Sequence, residues 1–194
     1  MIGKIARRMT DFVEKTGFIE TRQDTTKEVI EFGCNILLSL FLSWSIVLIL
    51  GIKCNTFGES VIYIISFSLI KGVAGGFHAS YSETCVFIYI GLFVLTTFLA
   101  KRLDPFWIVE LFTIVLFIPF CFFAPLGTEK NEIPVSKVAK MKKESITIVI
   151  LLFMIFTILP IGNTYKRYGI LAIVWCEVLI LIGVLWKGVQ KWKK

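Results

Sequence analysis

Six apolar runs separated by polar connections set the pattern of the chain: Phe32–Ile52, Ser60–Ala74, Cys85–Ala100, Phe106–Phe123, Ile146–Ile161 and Gly169–Trp186. Runs approaching about 20 residues match the roughly 30 Å of hydrocarbon that a helix must cross. A spanning segment of this length satisfies its backbone hydrogen bonds only as a helix, so the pattern predicts an all-α, polytopic integral membrane protein with about six transmembrane helices in one membrane domain, residues 1–194. Ahead of the first run, Ile2, Ile5, Ala6, Met9, Phe12 and Val13 recur at helical spacing, while Lys4, Arg7, Arg8, Asp11, Glu14 and Lys15 fall elsewhere. Residues 1–17 therefore read as an amphipathic helix lying in the headgroup region, closed by Gly17. Thr25-x-x-Glu28 reads as a capping box opening the next helix, and Asp104-Pro105 turns the chain into the fourth. Residues 124–144 form the one long hydrophilic connection, a basic loop, and Asn163–Tyr168 a short link.

Composition agrees with the pattern: 56% of residues are hydrophobic, 18% are charged and the mean hydropathy is +0.80. The net charge of +7 resides in the connections, so it speaks of topology and lipid and does not imply nucleic acid. With both termini cytoplasmic, sixteen of the 21 Lys and Arg residues lie inside and five outside. That bias places residues 71–85 and 124–144 at the cytoplasmic face of the cell membrane. The five cysteines are widely spaced, and one histidine accompanies them, which argues against a metal site and against a complete disulfide framework. No cofactor is implied. Glu110 and Glu177 lie inside predicted spans, where a charge costs about 2.5 to 3.5 kcal/mol, so each should be protonated, partnered or facing water. A proton relay, a substrate path and a hydrogen-bonded helix contact are all open for them.

The stretch Lys71–Cys85, KGVAGGFHASYSETC, holds the lone histidine and a cysteine seven residues on. On one unbroken helix His78 and Cys85 would stand roughly 10.5 Å apart, too far for proton transfer. Gly75 and Gly76 allow the chain to break, and Ser80 through Glu83 offers a second capping box. Cys85 would then occupy the first turn of a new helix, whose unpaired N–H groups favour a thiolate. A thiol and an imidazole brought together in this way are the equipment of a cysteine nucleophile with its base. A packing cysteine and a solvated histidine satisfy the same spacing. For Lys71, snorkelling to the interface and a role in the site stand side by side.

A basic residue, Gly-Gly, His, and Cys seven beyond the His, in a basic six-span chain of this length, resembles the accessory gene regulator B family of bacterial quorum-sensing membrane peptidases. Ala124-Pro125 and Asn131–Pro134 add a weaker echo. Lys71 departs from the Arg that members commonly carry there, keeping the charge and losing the bidentate fork. The resemblance implies that Cys85 cleaves the C-terminal tail of a small propeptide through a thioester. A substrate Cys or Ser then closes a thiolactone or lactone ring. It further implies that His78 serves as base and acid, that Lys71 stabilises negative charge, and that Glu83 orients the imidazole. The partner it implies is a propeptide with an amphipathic leader and a charged tail, docked on the bilayer, with homo-oligomers left open. Two other classes fit the composition: a small transporter or exporter whose Lys71, Glu110 and Glu177 line a path, and a non-enzymatic membrane partner in a signalling complex. Reporters fused after Lys194 or within Glu129–Lys143 are expected to read cytoplasmic and one within Asn163–Tyr168 external; an external reading from Glu129–Lys143 would overturn the placement of the site.

Overall fold

The computed structural model describes residues 3, 5, 7, 8, 10, 11, 24–75, 82–127 and 135–191. Six helices follow one another there: α1 (Asp24–Lys53), α2 (Phe57–Ala74), α3 (Ser82–Arg102), α4 (Trp107–Phe123), α5 (Val135–Ile158) and α6 (Asn163–Lys191). The protein is an all-α membrane protein. Four helices are long and apolar enough to cross a membrane, over Ile30–Lys53, Phe57–Ala74, Glu83–Arg102 and Asn163–Trp186. The other two expected spans differ in character: α4 is apolar but 17 residues long, and α5 is 24 residues long but opens with lysine-bearing turns.

Three boundaries depart from the sequence reading. The first helix starts at Asp24, before the Thr25 cap. The basic connection at 124–144 is helical from Val135 onward, so Lys137, Lys140, Lys142 and Lys143 ride on the first turns of α5. Lysine is a good helix former, and polarity alone does not distinguish a solvated helix from a loop. The Asn163–Tyr168 link is the opening of α6, because an apolar helix gains by carrying its backbone hydrogen bonds out through the interface. Of the amphipathic segment 1–17, residues 3, 5, 7, 8, 10 and 11 are described and helical; the others, Gly17 among them, lie outside the described residues, as do Lys130 and Asn131–Pro134. Arg7 Nε donates to Glu31 Oε1 at 2.8 Å, tying that segment to α1.

Helix α6 is the axis of the bundle, packing against α2, α3, α4 and α5, while α1 packs on α2 and α3 and is otherwise exposed. The wall between α2, α3 and α6 is aromatic. Phe67 meets Tyr89 edge-on at 4.8 Å between centroids, Tyr63 meets Phe93 at 5.3 Å, and Tyr168 lies 6.2 Å from Phe93. Tilted and edge-on rings place positive edges against negative faces, which adds directional attraction to dispersion. Trp175 Nε1 donates to Thr96 Oγ1 at 2.8 Å, fixing α6 against α3. Hydroxyls within the helices donate one turn back, as Thr96 does to the Leu92 carbonyl and Thr113 to that of Val109, each at 2.8 Å. This satisfies them where water is absent.

The bundle is pinned at the end where α3 finishes and α6 begins. Arg167 donates to the Ala100 carbonyl at 2.7 Å and to the Asp104 carboxylate, and its guanidinium lies 5.2 Å from the centre of the Phe106 ring. Lys166 Nζ stands 2.6 Å from Glu110 Oε1 with both side chains about three-quarters buried. Glu110 is thus a partnered carboxylate. Where α5 and α6 cross, a Cβ on Gly169 would come within 2.4 Å of the Phe156 ring. Gly169→Val should therefore separate the two helices and cost about 1–3 kcal/mol, read as a lower melting temperature of the detergent-solubilised protein; unchanged melting would reject this account of the crossing.

Candidate functional site at the end of α2

At the opposite end of the bundle, α2 stops at Ala74 and Gly75 caps it, its N–H donating to the Lys71 carbonyl at 3.1 Å. Gly75 has φ 68° and ψ −122°, a conformation that side-chain-bearing residues rarely adopt. Its neighbour in space is the stretch between α4 and α5. Leu126 N–H donates to the Ala74 carbonyl at 3.0 Å, and Gly75 and Leu126 form an isolated parallel bridge. A Cβ on Gly75 would lie 2.4 Å from the Leu126 carbonyl oxygen. Glycine is needed here for its conformation and for the closeness of the passing backbone. The Ala124-Pro125 pair, distant in sequence, therefore stands beside the start of the 71–85 loop.

Lys71 occupies the last turn of α2, half-buried, with Nζ 5.5 Å from the centre of the Phe67 ring one turn back. A cation over an aromatic face is held by the ring quadrupole, an anchor that pure snorkelling does not require. The helix ends three residues later, at Ala74. Phe67 is fixed in turn by α6, since the buried Cys176 thiol donates to its carbonyl at 3.7 Å.

Cys85 lies in the first turn of α3, partly buried, with Glu83 exposed in the same turn. The helix begins at Ser82, which puts Cys85 at its N-terminal end. All five cysteines are thiols, and Cys54 is the exposed one. Gly76, His78 and Ser80 lie outside the described residues, so the pairing of His78 with Cys85 stays an expectation from sequence. Among the described residues no three His, Cys, Asp or Glu side chains converge as a metal ion would need.

Near the end of α2 lies a groove of about 460 Å³ lined by Val73, Lys140, Lys143, Glu144, Thr147 and Ile148. It joins the end of α2 to the lysine-bearing turns of α5. Lys140 also faces Glu144 at 3.8 Å, an exposed pair one turn apart that solvent screens. Sequence reading had the lysines in a basic loop; their seat next to Val73 depends on α5 being helical from Val135.

Comparison with known proteins follows the same residues. The model of the family "Accessory gene regulator B" matches residues 6–189. AgrB-like protein 2 of Clostridium perfringens (strain 13 / Type A) is 29% identical over 171 residues, covering 83% of this chain and 78% of that one. Accessory gene regulator protein B of Staphylococcus aureus (strain bovine RF122 / ET3-1) is 28% identical over 153 residues, covering 78% and 81%. Protein FsrB of Enterococcus faecalis (strain ATCC 47077 / OG1RF) is 28% identical over 127 residues, covering 64% of this chain and 52% of that protein. No solved structure matches the chain.

Gly75→Ala should break the contact with Leu126, because both the positive φ and the passing carbonyl oppose a methyl group there. The expected result is hydrogen exchange at the Leu126 amide faster by about tenfold or more, with the amides of α6 unaffected. Unchanged protection at Leu126 would mean that the two segments are not joined.

Proposed function

Because the chain belongs to the accessory gene regulator B family, we propose that it is a membrane cysteine endopeptidase that removes the C-terminal tail of a small propeptide and cyclises the remainder into a quorum-sensing signal. The observation that carries this reading is the placement of Cys85 in the first turn of α3, just after a loop whose entry is fixed by Gly75 against Leu126.

The chemistry follows from those parts. The Cys85 thiolate attacks the scissile carbonyl, a sulfur–carbon bond forms, and negative charge gathers on the carbonyl oxygen. His78, having taken the thiol proton, returns it to the departing amine as the peptide C–N bond breaks. The tail leaves with a new N-terminus, and the rest of the propeptide stays on Cys85 as a thioester. A substrate Cys or Ser then attacks that carbonyl, releasing Cys85 and closing a thiolactone or lactone. Lys71, held over Phe67, supplies positive charge to the thiolate or the oxyanion, and Glu83 is in the proposed role of orienting the imidazole. The groove bearing Lys140 and Lys143 is a seat for a negatively charged tail beside the bond to be cut. This reading places both termini and the site on the cytoplasmic side, where a thiol stays reduced.

A transport path through Lys71, Glu110 and Glu177 is disfavoured by their positions. Glu110 is engaged by Lys166 in the first turn of α4, at the end of the bundle opposite Lys71. In liposomes holding the protein and its propeptide, mass spectrometry should detect the released tail and a cyclic product. Cys85→Ala should lose both, falling by about a thousandfold or more while propeptide association persists. Alanine at Cys34, Cys54, Cys121 or Cys176 should retain most activity. Lys71→Arg should remain active and Lys71→Ala should not. Turnover by Cys85→Ala at the parent rate would sink the mechanism.

A further inference from the structure

The two helices that flank the 71–85 loop run antiparallel, and their rings meet in a regular register. Tyr63 of α2 meets Phe93 of α3 with ring centres 5.3 Å apart, and Phe67 of α2 meets Tyr89 of α3 at 4.8 Å with the rings perpendicular. Four residues up α2 correspond to four residues down α3, so successive contacts lie one helical turn apart on a single face of each helix. One further turn toward the loop pairs Lys71 with Cys85, still inside both helices, which run to Ala74 and from Ser82. The four ring-bearing residues are buried, and Lys71 and Cys85 are partly so. Where a third pair of rings would stand, a long cation faces a short thiol.

A lysine near the end of a membrane helix ordinarily extends toward the headgroups. Lys71 does the opposite. Phe67 lies one turn deeper in the bundle, and the Lys71 ammonium nitrogen stands 5.5 Å from the centre of its ring, so the side chain bends back along α2. A ring face holds a cation more strongly where water is scarce. The ring itself is hemmed in: Phe67 is 2% exposed, Tyr89 abuts it from α3, and the Cys176 thiol of α6 donates to its carbonyl at 3.7 Å. Three helices thus fix the group over which the cation rests.

We propose that Phe67, backed by Tyr89, is a positioning residue that keeps the Lys71 ammonium opposite the Cys85 sulfur. Without the ring face the lysine snorkels outward, and the sulfur loses a neighbouring positive charge. This rests on the reading of Cys85 as the nucleophile, to which it adds the residues that aim the cation. The charge at the sulfur is nevertheless measurable with no propeptide present.

The test uses the full chain in lipid nanodiscs with Cys34, Cys54 and Cys121 replaced by alanine; Cys176 stays because it is buried and engages Phe67. Cys85 is modified with two methanethiosulfonates, one bearing a sulfonate and one a trimethylammonium group, and the ratio of their rates is read by mass spectrometry. Both reagents need the same thiolate and similar access, so the ratio reports local charge and is insensitive to folding or exposure. Lys71→Gln should lower the anionic-to-cationic ratio about tenfold, and Phe67→Leu and Tyr89→Leu about threefold, whereas Lys71→Arg should keep it. A trifluorinated phenylalanine in place of Phe67 keeps the shape of the ring and removes the negative charge of its face. It should act as Phe67→Leu does, and it decides the matter if the leucine variants do not fold. In liposomes with the propeptide, the variants that lower the ratio should lose kcat by a similar factor with KM little changed. A ratio unmoved by Lys71→Gln, or moved by it but not by the fluorinated ring, would overturn the proposal, as would a Cys85 that neither reagent modifies, since the site must admit a substrate. A ratio that responds throughout, in a protein that leaves the propeptide uncut, would sink the peptidase reading and leave the pairing standing.

Discussion

Nearly everything in this protein follows from the lack of water where most of its chain resides. A peptide group in hydrocarbon has only other protein groups to bond to, so the chain is helical wherever it crosses, and its hydroxyls turn back on their own helices. Among the described residues, departures from helix lie at the two ends of the bundle, and each end solves the problem in its own way. At the α3–α6 end, charged side chains take the exposed carbonyls, Arg167 at Ala100 being the clearest case. At the other end, backbone meets backbone, Leu126 bonding to Ala74 beside a glycine with an unusual φ. The second solution leaves no side chain between the two segments and brings the end of α2 against the α4–α5 connection.

Packing within the bundle is just as uneven. Helix α6 meets four others and is buried along most of its length, whereas α1 turns most of its surface outward. Outward Leu37, Phe41 and Ile52 are ordinary for a lipid-facing helix and carry no message about partners. Buried Tyr63, Phe67, Tyr89 and Phe93 do carry one, because they set the spacing between α2 and α3, the two helices that bound the 71–85 loop. Cys176 extends that frame to α6 through the Phe67 carbonyl, so the ring under Lys71 is held from two sides.

The helices were legible in the sequence because hydrocarbon thickness imposes a length and an apolar composition that few other structures share. Their ends were not. Lys137 through Lys143 and Asn163 through Tyr168 look like connections by polarity and are helical because an established helix extends readily into the interface. Within the site, Lys71, Gly75 and Cys85 could be singled out by residue type and spacing, and Cys85 does fall in a first helical turn. The contact with Leu126 could not, since leucine in a loop has no signal of its own and the bond uses only its backbone. Glu110 and Glu177 looked alike as carboxylates within apolar runs. Lys166 separates them, a distinction that depends on α4 and α6 being neighbours.

The joint between Gly75 and Leu126 also orders events during synthesis. The end of α2 emerges from the ribosome well before its partner, and at roughly 5 to 20 residues per second the intervening stretch takes a few seconds to make. Until the α4–α5 connection has left the ribosome, the Ala74 carbonyl has no Leu126 amide to receive. A nascent chain truncated before that point would contain Cys85 and Lys71 without the brace that joins their loop to the bundle. Assembly of the candidate site is thereby tied to translation beyond the fourth helix, and a partly made chain inserted in the membrane lacks this part of the finished architecture.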